Sequence, residues 1–131
     1  MKLVIYTADC KGNAKNCSYP KRFEVTNADD LKAVVRLDHV CADYKNNYRS
    51  AENFIESVVA VMDCDNDHSE NPDEWVTFET LDEMLPDVSY AIAPSRNHMK
   101  QKDDKSARPR FHVYFLIHPC KDPVEYAELK R

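Results

Sequence analysis

Apolar residues in this chain come in short runs, and the period within each run predicts an element. Residues 2–7 (KLVIYT) read as a first strand, and a polar loop over 8–19 follows. Residues 23–26 extend as a short strand. Asn27 is suited to cap a helix over 28–37, where Leu31, Val34 and Val35 fall on one face. After a polar stretch over 43–50, residues 57–62 (SVVAVM) are β-branched and nearly continuous, which predicts a central strand buried on both faces. Pro72 opens a short helical turn. Thr77 caps a helix that ends before Pro86, with Glu79 and Asp82 toward its positive end. Residues 88–93 form a third strand and 110–117 (RFHVYFLI) a fourth, with a polar loop over 97–107 between them. Pro123 fits the first turn of a last helix over 124–130.

The order β, α, β, α, β, β, α predicts a single α+β domain over residues 1–131, a central mixed and partly antiparallel sheet with flanking helices. The third and fourth strands should pair as a hairpin across the polar loop. Gly12 is the only glycine, so glycine-dependent turns are scarce.

Composition narrows the class. The chain is 43% hydrophobic and 31% charged, as an ordinary globular protein is. No apolar run approaches the roughly 20 residues that span a bilayer, and the start, MKLVIYTADC, lacks a signal-peptide pattern. The cytosol is the expected compartment. A formal net charge of -5 argues against a protein that coats nucleic acid. The charge is uneven. Residues 63–87 carry ten acidic side chains and no Lys or Arg, whereas 100–110 carries five basic residues against Asp103 and Asp104. Such a pairing suits a metal site beside a phosphate site, or a surface that meets a basic partner.

The sharpest motif is VVAVMDCD. A strand alternates its side chains, so Asp63 and Asp65 project to one side and Cys64 to the other. Two hard oxygen ligands placed this way suit Mg²⁺ or Mn²⁺ with phosphate oxygens completing the shell. A calcium loop beginning at Asp63 is disfavoured by His68 at its glycine position and by the strand-like segment before it. In RFHVYF, Arg110, His112 and Tyr114 share one face. Ser95, Arg96, His98 and Arg110 beside His112, with Lys100, Lys102, Lys105 and Arg108 nearby, make a candidate phosphate or nucleotide site.

Five cysteines are an odd number, and a reducing compartment disfavours a disulfide framework. Cys10 and Cys17 lie in one polar loop, His39 and Cys41 in another. Three thiolates and an imidazole would complete a structural zinc site over residues 8–45, with His68 or His98 able to replace His39.

The pattern hhhDxD followed by a strand with histidine, here VAVMDCD and RFHVYF, resembles the archaeo-eukaryotic primase (primase-polymerase) superfamily. The stretches IYTADC, NCSYP, DHVCADYKNNYRS, MDCDNDHS and SRNHMK are similar to the small primases of phages and mobile elements. The resemblance implies that Asp63 and Asp65 bind the catalytic metal and that His112 contacts nucleotide phosphate. Two departures stand out. Arg110 occupies a place usually held by a small polar residue. A third acidic motif, expected several dozen residues beyond His112, has no counterpart; only Asp122, Glu125 and Glu128 follow, on the predicted last helix. The expectation is the front half of a primase fold.

Two functions follow. The first is a zinc-containing, primase-like binding protein of a phage or mobile element that inhibits a CRISPR effector nuclease by protein–protein contact. In it the acidic block 63–87 complements a basic nucleic-acid channel, and the isolated chain is not an enzyme. The alternative is a catalytic fragment of a DNA primase-polymerase that binds nucleotide and nucleic acid and performs metal-dependent nucleotidyl transfer.

Overall fold

The computed structural model describes residues 2–13 and 15–129. The chain is α+β, and its contacts divide it into two compact units: residues 1–61 with 115–131, and residues 62–114.

In the first unit, β1 (Leu3–Thr7) alternates buried Leu3, Ile5 and Thr7 with half-buried Val4 and Tyr6, the period of a strand with one covered face. It pairs antiparallel with β2 (Lys21–Val25), Leu3 opposite Val25, and with β3 (His39–Val40), Tyr6 opposite Val40. Helix α1 (Ala28–Val34) starts where the pattern predicts: the Asn27 side chain accepts from the Asp30 N–H at 2.8 Å, and Leu31 and Val34 are buried. It stops three residues short of the expected end, leaving in a tight turn from the Leu37 N–H to the Val34 carbonyl.

Strand β4 (Asp43–Tyr44) pairs antiparallel with β5 (Phe54–Cys64), and the four-stranded sheet has the order β4-β5-β9-β6, with β9 at Phe111–Cys120 and β6 at Tyr90–Pro94. In β5, Ser57, Val59 and Ala60 are buried while Val58 and Val61 are half-buried, so the strand is less enclosed than its apolar run predicts. Helix α3 (Pro123–Leu129) seats Tyr126 with Ala42 and Cys120, and Tyr44, Phe54 and Ile117 pack around them. The Tyr126 hydroxyl donates to the Val59 carbonyl at 2.7 Å. The predicted last residue of this helix, Lys130, lies outside the described residues.

In the second unit, a 3-10 turn (Pro72–Glu74) leads into α2 (Phe78–Met84). Thr77 and Thr80 cap that helix reciprocally: the Thr80 N–H donates to Thr77 Oγ1 at 3.2 Å and the Thr77 N–H to Thr80 Oγ1 at 2.6 Å. The helix ends before Pro86, whose ring disfavours helical backbone in the residue before it. Strands β6 and β9 are neighbours, as expected of the third and fourth strands. The polar segment between them is not a plain loop. It carries a two-stranded ribbon, β7 (Lys100–Lys102) with β8 (Lys105–Arg108), which no apolar period announces. Among the described residues the strands fall in three sheets, the largest of four strands.

Turns that need left-handed backbone use other residues where glycine is missing. Gly12 has φ 76°, but Asn46, Asn47, Asn66, Met99 and Asp103 also lie at φ 54–58°. Asn and Asp tolerate that region; Met99 has no such local compensation. No helix among the described residues is long and apolar enough to cross a membrane.

Candidate nucleotide and metal site

The end of β5 presents Asp63 and, directly after the strand, Asp65. Both are exposed and the intervening Cys64 is half-buried, as alternation requires. His112, the second residue of β9, places Nδ1 in contact with Asp63 Oδ1. The first carboxylate and the strand histidine therefore meet. Their side chains are 65% and 33% exposed, so the pair contributes little to stability and is open to a ligand.

Two acidic side chains just beyond, Asp67 and Glu70, are held by three cations in different ways. Arg108, fully buried, uses every N–H of its guanidinium. Nη1 donates to the Asn66 carbonyl at 2.8 Å and the Ser69 carbonyl at 2.9 Å. Nη2 donates to Glu70 at 2.6 Å and Ser106 Oγ at 3.2 Å, and Nε to the Ser106 carbonyl at 3.1 Å. Its plane lies over Trp75, 5.2 Å from the ring centre. Arg110, equally buried, makes one side-chain contact: Nη1 donates to Asp67 Oδ1 at 2.7 Å, and Nε and Nη2 have no partner. Lys105 Nζ approaches Asp67 Oδ2 at 3.5 Å.

Two of the cations near the candidate phosphate site are thus already engaged within the protein. Arg108 is a structural rivet, and Lys105 is engaged with a carboxylate. Asn66, which its sequence position gave no reason to single out, is the second rivet. Its φ is 55°, its Oδ1 accepts from the Val76 N–H at 2.7 Å, and its Nδ2 donates to the Val76 and Pro109 carbonyls at 2.9 and 2.8 Å. Asn66→Ala orphans those groups and puts a Cβ-limited residue at positive φ. The expected loss is about 2–4 kcal/mol, read by urea unfolding.

The Arg110 hydrogen bond holds the Asp67 carboxyl below its ordinary range, and the Arg108 hydrogen bond does the same for Glu70. A depressed folded-state value contributes stability that is complete above the unfolded-state value near pH 4 and is lost as pH falls through the folded one. The second unit is therefore expected to weaken in acid below about pH 4. The emission of Trp75, the chain's single tryptophan, reports it, and Asp67→Asn with Glu70→Gln should flatten that dependence.

Ser95, Arg96 and His98 form the turn after β6. The Ser95 N–H donates to the Arg110 carbonyl at 2.9 Å, and the Arg110 N–H donates to His98 Nδ1 at 3.1 Å. The His98 ring also stacks on Phe78 at 5.6 Å. An Nδ1 that accepts belongs to the neutral tautomer with its proton on Nε2, so His98 offers one N–H rather than a cation. Arg96 is exposed.

The proposed zinc ligands are not gathered. Cys41 is buried, the Cys10 thiol donates to the Asp38 carboxylate at 3.8 Å, Cys17 Sγ lies 3.9 Å from the Lys15 carbonyl, and His39 Nδ1 lies 3.0 Å from the Leu37 carbonyl. Burial and the nearby Asp38 push the Cys10 thiol upward, away from thiolate. The bridging work falls to Asp38, whose carboxylate also accepts from the Gly12 and Asn13 N–H groups, each at 2.8 Å. Among the described residues, no three or more His, Cys, Asp and Glu side chains form a group that could hold a metal ion.

Asp63 and Asp65 would hold a cation as a pair. Mg²⁺ takes one or two carboxylates and fills its shell with water and substrate phosphate, so two exposed carboxylates at one strand end are a fitting donor set. No family model, no curated protein and no solved structure matches the chain, so the primase likeness rests on these motifs and their placement.

Proposed function

We propose that residues 62–114 bind a nucleoside triphosphate with a divalent cation, as the metal- and phosphate-holding part of a primase-type nucleotidyl-transfer site. The observation that carries this reading is the contact between Asp63 and His112, residues 49 apart in sequence and matching two separate primase motifs. Asp63 and Asp65 would hold the cation, which when bound would neutralise phosphate charge and polarise the reacting phosphorus. Asp63 orients the imidazole by accepting from Nδ1, as carboxylates orient histidine in other sites. Calorimetric titration of a deoxynucleoside triphosphate in Mn²⁺ tests the proposal. Saturable, metal-dependent binding is expected; its absence at millimolar ligand sinks the reading.

A second reading has its own observation. Asp73, Glu74, Glu79, Asp82, Glu83 and Asp87 are all exposed, beside the exposed Met84 and Val88. That exposed acidic segment suits a basic protein surface, which supports inhibition of a CRISPR effector nuclease by contact. Purified chain should then block DNA cleavage by an RNA-guided nuclease. Glu79→Lys with Asp82→Lys and Glu83→Lys should abolish the block, while Asp63→Asn with Asp65→Asn should leave it intact. Undiminished cleavage across representative effector types ends this alternative.

A further inference from the structure

Arg108 and Arg110 are two residues apart and equally enclosed, yet they are satisfied very differently. Arg108 places all its N–H groups on oxygen acceptors. Arg110 has a single acceptor oxygen, from Asp67, and two nitrogens without a partner. A guanidinium is a planar fork that a phosphate or carboxylate fits through two parallel hydrogen bonds. One oxygen of Asp67 is a poor match for such a fork. The other oxygen of Asp67 faces Lys105, so two cations converge on one carboxylate that is itself 37% exposed. Arg110 stands just before β9, two residues ahead of His112.

We propose that Arg110 and Lys105 form an anion subsite whose occupant in the unliganded protein is the carboxylate of Asp67, and that a polyphosphate displaces Asp67 from it. This deepens the nucleotide reading and rests on it. The under-satisfied guanidinium supplies the driving force: polyphosphate oxygens give Arg110 more acceptors than Asp67 does, and Lys105 exchanges one anion for another. Asp67 thus acts as an internal competitor. It keeps a buried cation compensated when no ligand is present and sets the affinity that a ligand must exceed.

Titration of inorganic pyrophosphate without divalent metal tests the exchange separately from Asp63 and Asp65. Asp67→Asn is expected to bind pyrophosphate about three- to tenfold more tightly than the wild type while unfolding at lower denaturant, opposite signs that a purely structural Asp67 would not produce. Adding Arg110→Met should erase the gain. Because this titration contains no divalent cation for Asp63 and Asp65 to hold, failure of the metal site and failure of the subsite are told apart. If Asp67→Asn does not fold, the Arg110 Nε–Hε resonance of the wild type decides: it should shift on pyrophosphate addition. An unmoved resonance at saturation, no saturable binding, or equal or weaker binding by Asp67→Asn each overturns the proposal.

Discussion

Asparagine at both 63 and 65 is expected to weaken Mn²⁺-dependent nucleotide binding by at least about 100-fold, with little change in unfolding midpoint. Removing a group that merely supports a metal ligand already costs about 10- to 100-fold, so removing both ligands should cost no less. The stability side is equally specific. Both carboxylates are exposed, and the Asp63 contact with His112 is a surface pair, worth about 0–1 kcal/mol. Relief of repulsion between two nearby carboxylates offsets even that. His112→Ala should lower affinity without removing the metal dependence, since it leaves both carboxylates. Equal affinity in the double variant, measured by the same titration, would remove these carboxylates from the site.

The largest effect on folding is expected from Arg108→Ala, about 3–5 kcal/mol in chemical denaturation followed by Trp75 emission. Most of that loss does not come from the ion pair. Glu70 is 63% exposed and water can replace the guanidinium there. The Asn66 and Ser69 carbonyls lose a charged donor inside the unit, and the indole of Trp75 loses the plane that covers it. Glu70→Gln should therefore cost well under half as much as Arg108→Ala. Equal losses would place the energy in the pair instead.

The contrast between these two predictions shows what a linear reading of the chain reaches. β5 and β9 are legible because their apolar runs are long, and Asn27 and Thr77 announce their helices because capping is local. The class α+β follows from that alternation. Asp63 and His112 were singled out by motif likeness, not by periodicity, and their contact, 49 residues apart, has no local signal. Arg108 was read as one more cation near a phosphate site, since the acceptors that permit its burial lie 38 to 42 residues earlier, beyond any periodic signal. Asn66 and Asp38 escaped for the same reason: a polar side chain that satisfies distant backbone looks like any loop residue. The β7–β8 ribbon, built from KQK and KSAR, is held by backbone pairing and shows no strand pattern.

The division of the chain has a consequence for how it emerges from the ribosome. Residues 62–114 are contiguous, so every residue of their unit is present once the last of them is translated. Residues 1–61, although made first, share their unit with 115–131. Ala42 and Val59 must wait for Cys120 and Tyr126 before their packing and hydrogen bond can form. The middle of the polypeptide is thus free to mature before its beginning, and a stall before position 115 would leave the amino-terminal strands without their closing helix.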